Sequence, residues 1–274
     1  ILGRDTLMRT YPQLRIDPLG DRQMSPAARR RSLRANARAK DKDPSSKVTG
    51  AIYSPQDLQV NPVSLAMALI EAATLQGAVF HWGWPVQGWH SRSQGDRDQV
   101  YSVDTSRDRI ACDGVIITAG LGSSLLAKRL GYDLPQRPVL GQAVHLKLPR
   151  SLTLSEPVII GHDTNIVPLD KGNYWVGATV EFGDDDREPV GSEEQLNQML
   201  QGVYDLYPRL QDADVLRTWS GTRPRPQNRP APVIEALADY NNVILATAHY
   251  RNGVLLAPAT AERVKQLLYE LAIA

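Results

Sequence analysis

The chain has 274 residues, 42% of them hydrophobic and 22% charged, with a formal net charge of +1. Such a length and composition describe one large or two modest globular domains, and so small a net charge supplies no field that would gather nucleic acid or a membrane surface. The single cysteine, Cys112, excludes a disulfide within the chain and any zinc or iron–sulfur site built from cysteines, and fits a cytoplasmic setting.

No stretch approaches the roughly 20 apolar residues that a membrane helix needs. The first residues, ILGRDTLMRTYPQL, lack a basic-then-apolar leader pattern and read as the middle of a longer chain. Residues 20–50 form a basic segment, with eight Lys/Arg and two Asp between Arg29 and Lys47. A phosphate backbone could be its partner. No aromatic residues interleave the charges as base stacking would require, so the expectation is a flexible, solvated insertion and no nucleic acid.

Asn61-Pro62 starts a helix over VSLAMALIEAATLQG, with Leu65, Leu69 and Ala72 on one face and Gly77 as its stop. AVFHWGW reads as a strand; VYSVDT and RIAC read as an antiparallel pair. In DGVIITAG the continuous run Val115, Ile116, Ile117 is that of a parallel strand buried on both faces. LGSSLLAKRLG then continues as a short helix, completing a strand–turn–helix unit that can carry backbone N–H groups to a phosphate or cofactor.

From about Arg137 to Arg229 the texture changes to short β-branched segments separated by Gly and Pro: PVLGQAVHLKLP, PVIIGHD, NIVPLD and NYWVGATVEF. They predict an antiparallel sheet, interrupted by one helix that Ser192 caps and whose stripe is Leu196, Met199, Leu200 and Val203. NNVILATAHYRNG returns to the buried-strand pattern, and Gly253 opens a last helix with the stripe Val264, Leu267, Leu268. The order is therefore α/β, antiparallel β, α/β: a mixed α/β (α+β) fold, divided as 1–136, 137–230 and 231–274.

Two stretches carry candidate chemistry. In HYRNG a helix N-terminus, with its free N–H groups and partial positive charge, follows a planar cation, Arg251, and a glycine that lets a flat ligand approach. An ordinary turn with a surface Arg fits the same residues. In TWSGTRPRPQNRPAP a proline-stiffened loop holds Arg223, a geometry suited to a carboxylate, while Arg225 and Arg229 read as solvated connector residues. No catalytic carboxylate pair stands out, and DDDRE at 184–188 reads as a solvated turn. His81, His90, His145, His162 and His249 lack metal spacing, so no metal is expected. GxGxxG, P-loop and GxSxG motifs are absent.

The ordered set QDLQVNP (56–62), DGVIITAGLGSS (113–124), LPQRPVLGQ (134–142), NIVPLDKGNYWVGAT (165–179), WSGTRPRP (219–226) and HYRNGVLLAPAT (249–260) resembles the FAD-dependent D-amino acid oxidase family, within it most of all the glycine oxidases. The resemblance implies a truncated FAD-binding Rossmann-like domain and an antiparallel substrate domain. It implies oxidation of the amine of glycine or a related small amino acid by hydride transfer to flavin, with a place in thiamine biosynthesis and no obligatory protein acid or base. Arg251 would grip the substrate carboxylate, with Arg223 and Asn165 lining the pocket. Val86, Ala119, Gly120, His249, Asn252, Gly253, Val254, Leu255 and Leu256 would contact FAD, and Arg137, Pro138 and Gly141 match the crossover into the substrate domain. Three departures stand out: the N-terminal βαβ unit with its GxGxxG is missing, Asn165 replaces the family's tyrosine, and Ala248 replaces a glycine. Two further readings follow: an amino acid dehydrogenase of the same fold, or a cofactor-free, inactive fragment. Homo-oligomerisation is left open.

Overall fold

The computed structural model describes residues 1–11, 14, 50–150, 156–161, 163–183 and 188–271. The basic segment between 20 and 49 and the acidic run at 184–187 lie outside them. In chain order the elements are β1 (Leu2–Gly3), α1 (Arg4–Thr10), β2 (Gly50–Ala51), α2 (Pro62–Leu75), β3 (Val86–Gln94), β4 (Arg97–Thr105), β5 (Arg109–Ala111), β6 (Val115–Ile117), α3 (Gly122–Lys128), β7 (Gln136–Lys147), β8 (Ile159–Gly161), β9 (Thr164–Pro168), β10 (Asn173–Gly177), β11 (Glu181–Phe182), α4 (Glu193–Leu206), β12 (Asp214–Pro226), β13 (Val233–Ala236), β14 (Val243–Thr247) and α5 (Gly253–Glu270). The fold is mixed α/β with antiparallel sheets. Its contacts divide it into two compact units.

The first unit holds Ile1–Gln59, Gln142–Thr179 and Gly191–Ser220. Its sheet is antiparallel, β7 on β10, β10 on β9 and β9 on β8. Strand alternation sorts the residues: Val144, Leu146, Ile166, Tyr174 and Val176 point to one face and are buried with Met199, Val203 and Leu206 of α4. Each of those helix residues contributes roughly 2 kcal/mol by leaving water. Ser192 caps α4 as expected, accepting from the Gln195 N–H at 3.3 Å. The opposite face carries Trp175, which meets His145 and Trp219 edge-on. Beneath α4, the hydroxyls of Tyr174 and Tyr207 both donate to Glu156, at 2.6 and 2.7 Å.

The second unit holds Val60–Gly141, Val180–Val190 and Gly221–Ala274. One sheet runs β13–β14–β6, with β6 parallel to β14. Every residue of β14 is buried, which explains its apolar run Val243 to Ala246. A second sheet, β3–β4–β5, is antiparallel. The buried amide of Asn242 ties the two together: it accepts from the Val100 N–H at 2.9 Å and donates to the Val100 and Asp113 carbonyls at 2.6 and 2.8 Å.

Three local expectations fail. AVFHWGW is no strand but a loop in which Phe80 and Trp82 stack, Gly83 turns at φ 71°, and the strand begins at Val86. Its glycine-interrupted aromatics suit a turn better than a ladder. α2 forms where expected, with the Asn61 side chain accepting from the Val63 and Ser64 N–H groups, whereas β6, parallel to β14 as expected, is not buried on both faces, since Ile116 is 41% exposed. The proline-rich stretch is, from Thr218 to Pro226, part of β12, a strand and not a loop. Pro224 and Pro226 lie at its end, where missing ladder donors cost least.

Candidate functional site

All that follows, apart from Asn165, lies in the second unit. β6 and β14 run parallel in the register Val115↔Val243 to Ile117↔Leu245, so their carboxyl ends share one edge. Open α/β sheets present their ligands at that edge. After β6 the chain turns through Ala119 and Gly120, the latter at φ 57°. The Gly120 carbonyl accepts from Thr247 Oγ1 at 3.1 Å and from Gln136 Nε2 at 3.3 Å, and Ser123 Oγ donates to Thr247 Oγ1 at 3.1 Å. The turn after β6 is thereby pinned to the end of β14. The other amide atom of Gln136, Oε1, is buried without a hydrogen-bond partner among the described residues, an acceptor that lacks its donor.

The second turn runs from Ala248 to Gly253. Ala248 and Tyr250 both sit in the left-handed region, at φ 57° and 54°. Ala248 therefore occupies a conformation that a glycine adopts without strain. The Asn252 N–H donates to the His249 carbonyl at 3.1 Å, and the first helical bond, Leu256 N–H to Asn252 carbonyl, is 2.9 Å. The Asn252 side chain forms no cap. The first-turn N–H groups of α5 thus keep their donors and the positive end of the helix dipole available. Val254 and Leu255, 53% and 78% exposed, rim them with apolar surface. His249 turns away from this opening: its Nε2 lies 2.8 Å from Thr260 Oγ1, and burial holds its pKa below the ordinary histidine range. It braces the turn to the helix as a neutral ring.

Arg223 is half-buried on β12, and its guanidinium lies over Gly141, where an added Cβ would collide with its terminal atoms. Burial lowers its pKa, the nearby charge of Arg251 lowers it further, and Tyr250 opposes them. A guanidinium stays protonated through such shifts. Two planar cations that feel one another this way make a receptor for an anion. Arg251 itself is exposed. The Tyr250 N–H donates to the Pro224 carbonyl at 3.1 Å, which joins the turn before α5 to the strand carrying Arg223.

Ala119, Gly120, Arg223, His249, Arg251, Asn252 and the start of α5 are therefore linked around one edge. Val86 opens β3, with Thr105 as its strand partner. Asn165 belongs to the first unit, where its Nδ2 donates to the carbonyl of its strand partner Gly177 at 3.2 Å. Neither connector arginine is simply solvated. Arg229 forks onto Glu235, with Nη1 2.9 Å from Oε1, and also reaches the Tyr132 hydroxyl. Arg225 lies over the rings of Phe182 and Tyr250. Sequence reasoning missed Phe182, Arg225 and Tyr250 because it took a loop where β12 runs, and Gln136 because its partner Gly120 lies on another element. Strand alternation would have placed Arg225 on the side of Arg223. Among the described residues no group of three or more His, Cys, Asp or Glu could hold a metal, and no helix is long and apolar enough to cross a membrane.

The chain is 35% identical over 227 residues to the bifunctional protein ThiO/ThiG of Nostoc sp. strain PCC 7120, covering 81% of this chain and 32% of that protein. It is 32% identical over 221 residues to the glycine oxidase of Geobacillus kaustophilus, covering 81% of this chain and 56% of the relative. The chain therefore spans about a third and just over half of these two relatives. The crystal structure of glycine oxidase from Geobacillus kaustophilus superposes with a TM-score of 0.73 at 26% identity, covering 98% of this chain and 62% of that one. A model of the family described as "DAO: FAD dependent oxidoreductase" matches residues 5–267, and the chain belongs to that family.

Proposed function

We propose that the chain contributes the substrate-gripping arginines and the flavin-facing helix of an FAD-dependent oxidase of glycine or a related small amino acid. One observation supports this reading: the turn that carries Arg251 into the uncapped N-terminus of α5 is hydrogen-bonded, Tyr250 N–H to Pro224 carbonyl, to the strand that carries Arg223, which lies within the field of Arg251. A zwitterionic amino acid offers a carboxylate for the cations and a Cα–H to be aimed by them. Arg223, half-buried and seated on Gly141, is the more enclosed grip, with Arg251 closing from the exposed side. This weighting reverses the one the sequence suggests.

The residues fit FAD. The free N–H groups of Gly253, Val254 and Leu255 and the dipole behind them would stabilise a negative charge on the ring. The orphan acceptor Gln136 Oε1, beside the Gly120 turn, awaits a donor. Bound FAD would supply the two-electron acceptor. The protein's share is orientation and electrostatics, and the reading asks for no protein acid or base. A part in thiamine biosynthesis rests on the resemblance alone.

The test is titration of the chain with FAD, followed by quenching of flavin fluorescence, then anaerobic addition of glycine or sarcosine. Loss of the flavin's visible absorption is expected. A flavin-bound chain that no small amino acid or N-methyl amine bleaches overturns the substrate reading, and failure to bind FAD favours the cofactor-free fragment. Peroxide formed per turnover separates an oxidase from a dehydrogenase.

A further inference from the structure

Four side chains of the second unit alternate cation and ring. The Arg137 guanidinium lies 5.4 Å from the Phe182 ring centre, Arg225 lies 5.5 Å from the same ring, and Arg225 also lies 5.5 Å from the ring of Tyr250. Arg137 also donates to the Gly183 carbonyl. The four residues come from β7, β11, β12 and the turn before α5. Cation–ring contacts within about 6 Å are attractive, and a planar guanidinium can lie flat on a ring as an ammonium cannot.

We infer that Arg225 is a positioning residue for the two-arginine anion site: by lying over Phe182 and Tyr250 it fixes the Arg251 turn against the strand that carries Arg223. This rests on the reading of Arg223 and Arg251 given above. The reasons are geometric. Tyr250 is in the left-handed region and precedes Arg251, so a turn under strain carries the second cation. Tyr250 is tied to β12 at two points, its N–H donating to the Pro224 carbonyl and its ring lying under Arg225. Arg223 and Arg225 are two apart on that strand and so share a side of it. Freed from Arg225, Tyr250 would relax its backbone, and Arg251 would move with it. Phe182 is half-exposed and gives Arg225 its second seat; Arg137 holds Phe182 in turn.

The experiment uses the full chain, with acetate as probe, in two measurements. Isothermal titration reports acetate binding, and hydrogen exchange reports opening of the peptide spanning Ala248–Asn252. Arg225→Ala is expected to raise the acetate dissociation constant roughly ten-fold and to speed exchange of that peptide by a similar factor, with Arg225→Lys falling in between. Phe182→Leu, which keeps an apolar contact and removes the ring, is expected to act in the same direction by about three-fold. Near-ultraviolet circular dichroism checks that each variant is folded, and a variant that fails this check is replaced by Phe182→Leu as the deciding one. Acetate binding and exchange both unchanged in folded Arg225→Ala overturn the inference and leave the anion site standing. A lowered melting temperature with unchanged acetate affinity overturns it as well, since a merely structural residue behaves so. No acetate binding by the wild-type chain overturns the anion-site reading, and the role of Arg225 falls with it.

Discussion

The guanidinium of Arg223 occupies the space that a Cβ on Gly141 would need. The glycine is a seat: backbone without a side chain lets the cation lie flat, half out of water, within the field of Arg251. An otherwise featureless residue in RPVLGQ thereby shares in the placement of a charge on another strand.

Gly141→Ala is expected to displace Arg223 and weaken carboxylate binding by about ten-fold. The collision is with the far end of a flexible side chain, so the stability cost is expected to stay near 1 kcal/mol, the order of an off-rotamer side chain. Acetate titration and thermal melting read the two quantities. A large loss of stability with unchanged affinity would mean that Gly141 serves packing only.

The two arginines are expected to separate from the helix start. Arg223→Gln and Arg251→Gln in the flavin-loaded protein should each raise the Michaelis constant for the amino acid, Arg223 more, by roughly 100-fold for a lost charge-assisted pair of hydrogen bonds. Flavin content should change little. Gly253→Val should do the reverse. Its Cβ position meets only His249, at 3.7 Å, so the chain tolerates a side chain there while the ligand side does not. Flavin stoichiometry beside steady-state kinetics decides it, and swapped effects would refute the placement.

Asn242→Ala is expected to destabilise the protein by roughly 3 kcal/mol. One amide serves three backbone groups of buried or half-buried segments, and each group left without a partner costs about 1–3 kcal/mol, with partial relief from water. Denaturant unfolding measures it. Asn242→Asp keeps the acceptor, loses the donors and should be no better.

Acid stability should depend on Glu235. The hydrogen bond from Arg229 holds its carboxyl below the ordinary glutamate range, against the opposing effect of burial. A depressed folded pKa means that the stabilisation is complete above the unfolded value near 4.5 and fades as pH falls through the folded value. Melting temperature against pH should therefore flatten on its acid side in Glu235→Gln and Arg229→Ala. His249 adds a second limb: its folded pKa lies below the ordinary 6.5, so stability is full above that value and declines as pH drops below it. His249→Gln should remove that decline.

The sequence by itself determined the elements whose patterns are local: the Asn61 and Ser192 caps, the strand β6, the buried run of β14, the alternation of β7 to β10, and the ordered motifs of the family. Those features are written in neighbouring residues, and periodicity or a cap is visible within a few positions. Tertiary structure alone decided the rest. That Arg223 rides a strand, that Gly141 makes room for it, that Arg225 lies over two rings and that Gln136 meets Gly120 are contacts between residues far apart in the chain. Prolines in TRPRP argue for a loop as long as the strand beside them is unknown, and β6 reads as buried on both faces because an apolar run records what a face prefers and not what covers it. Such contacts are fixed by chain folding in three dimensions, and no local pattern encodes the partner.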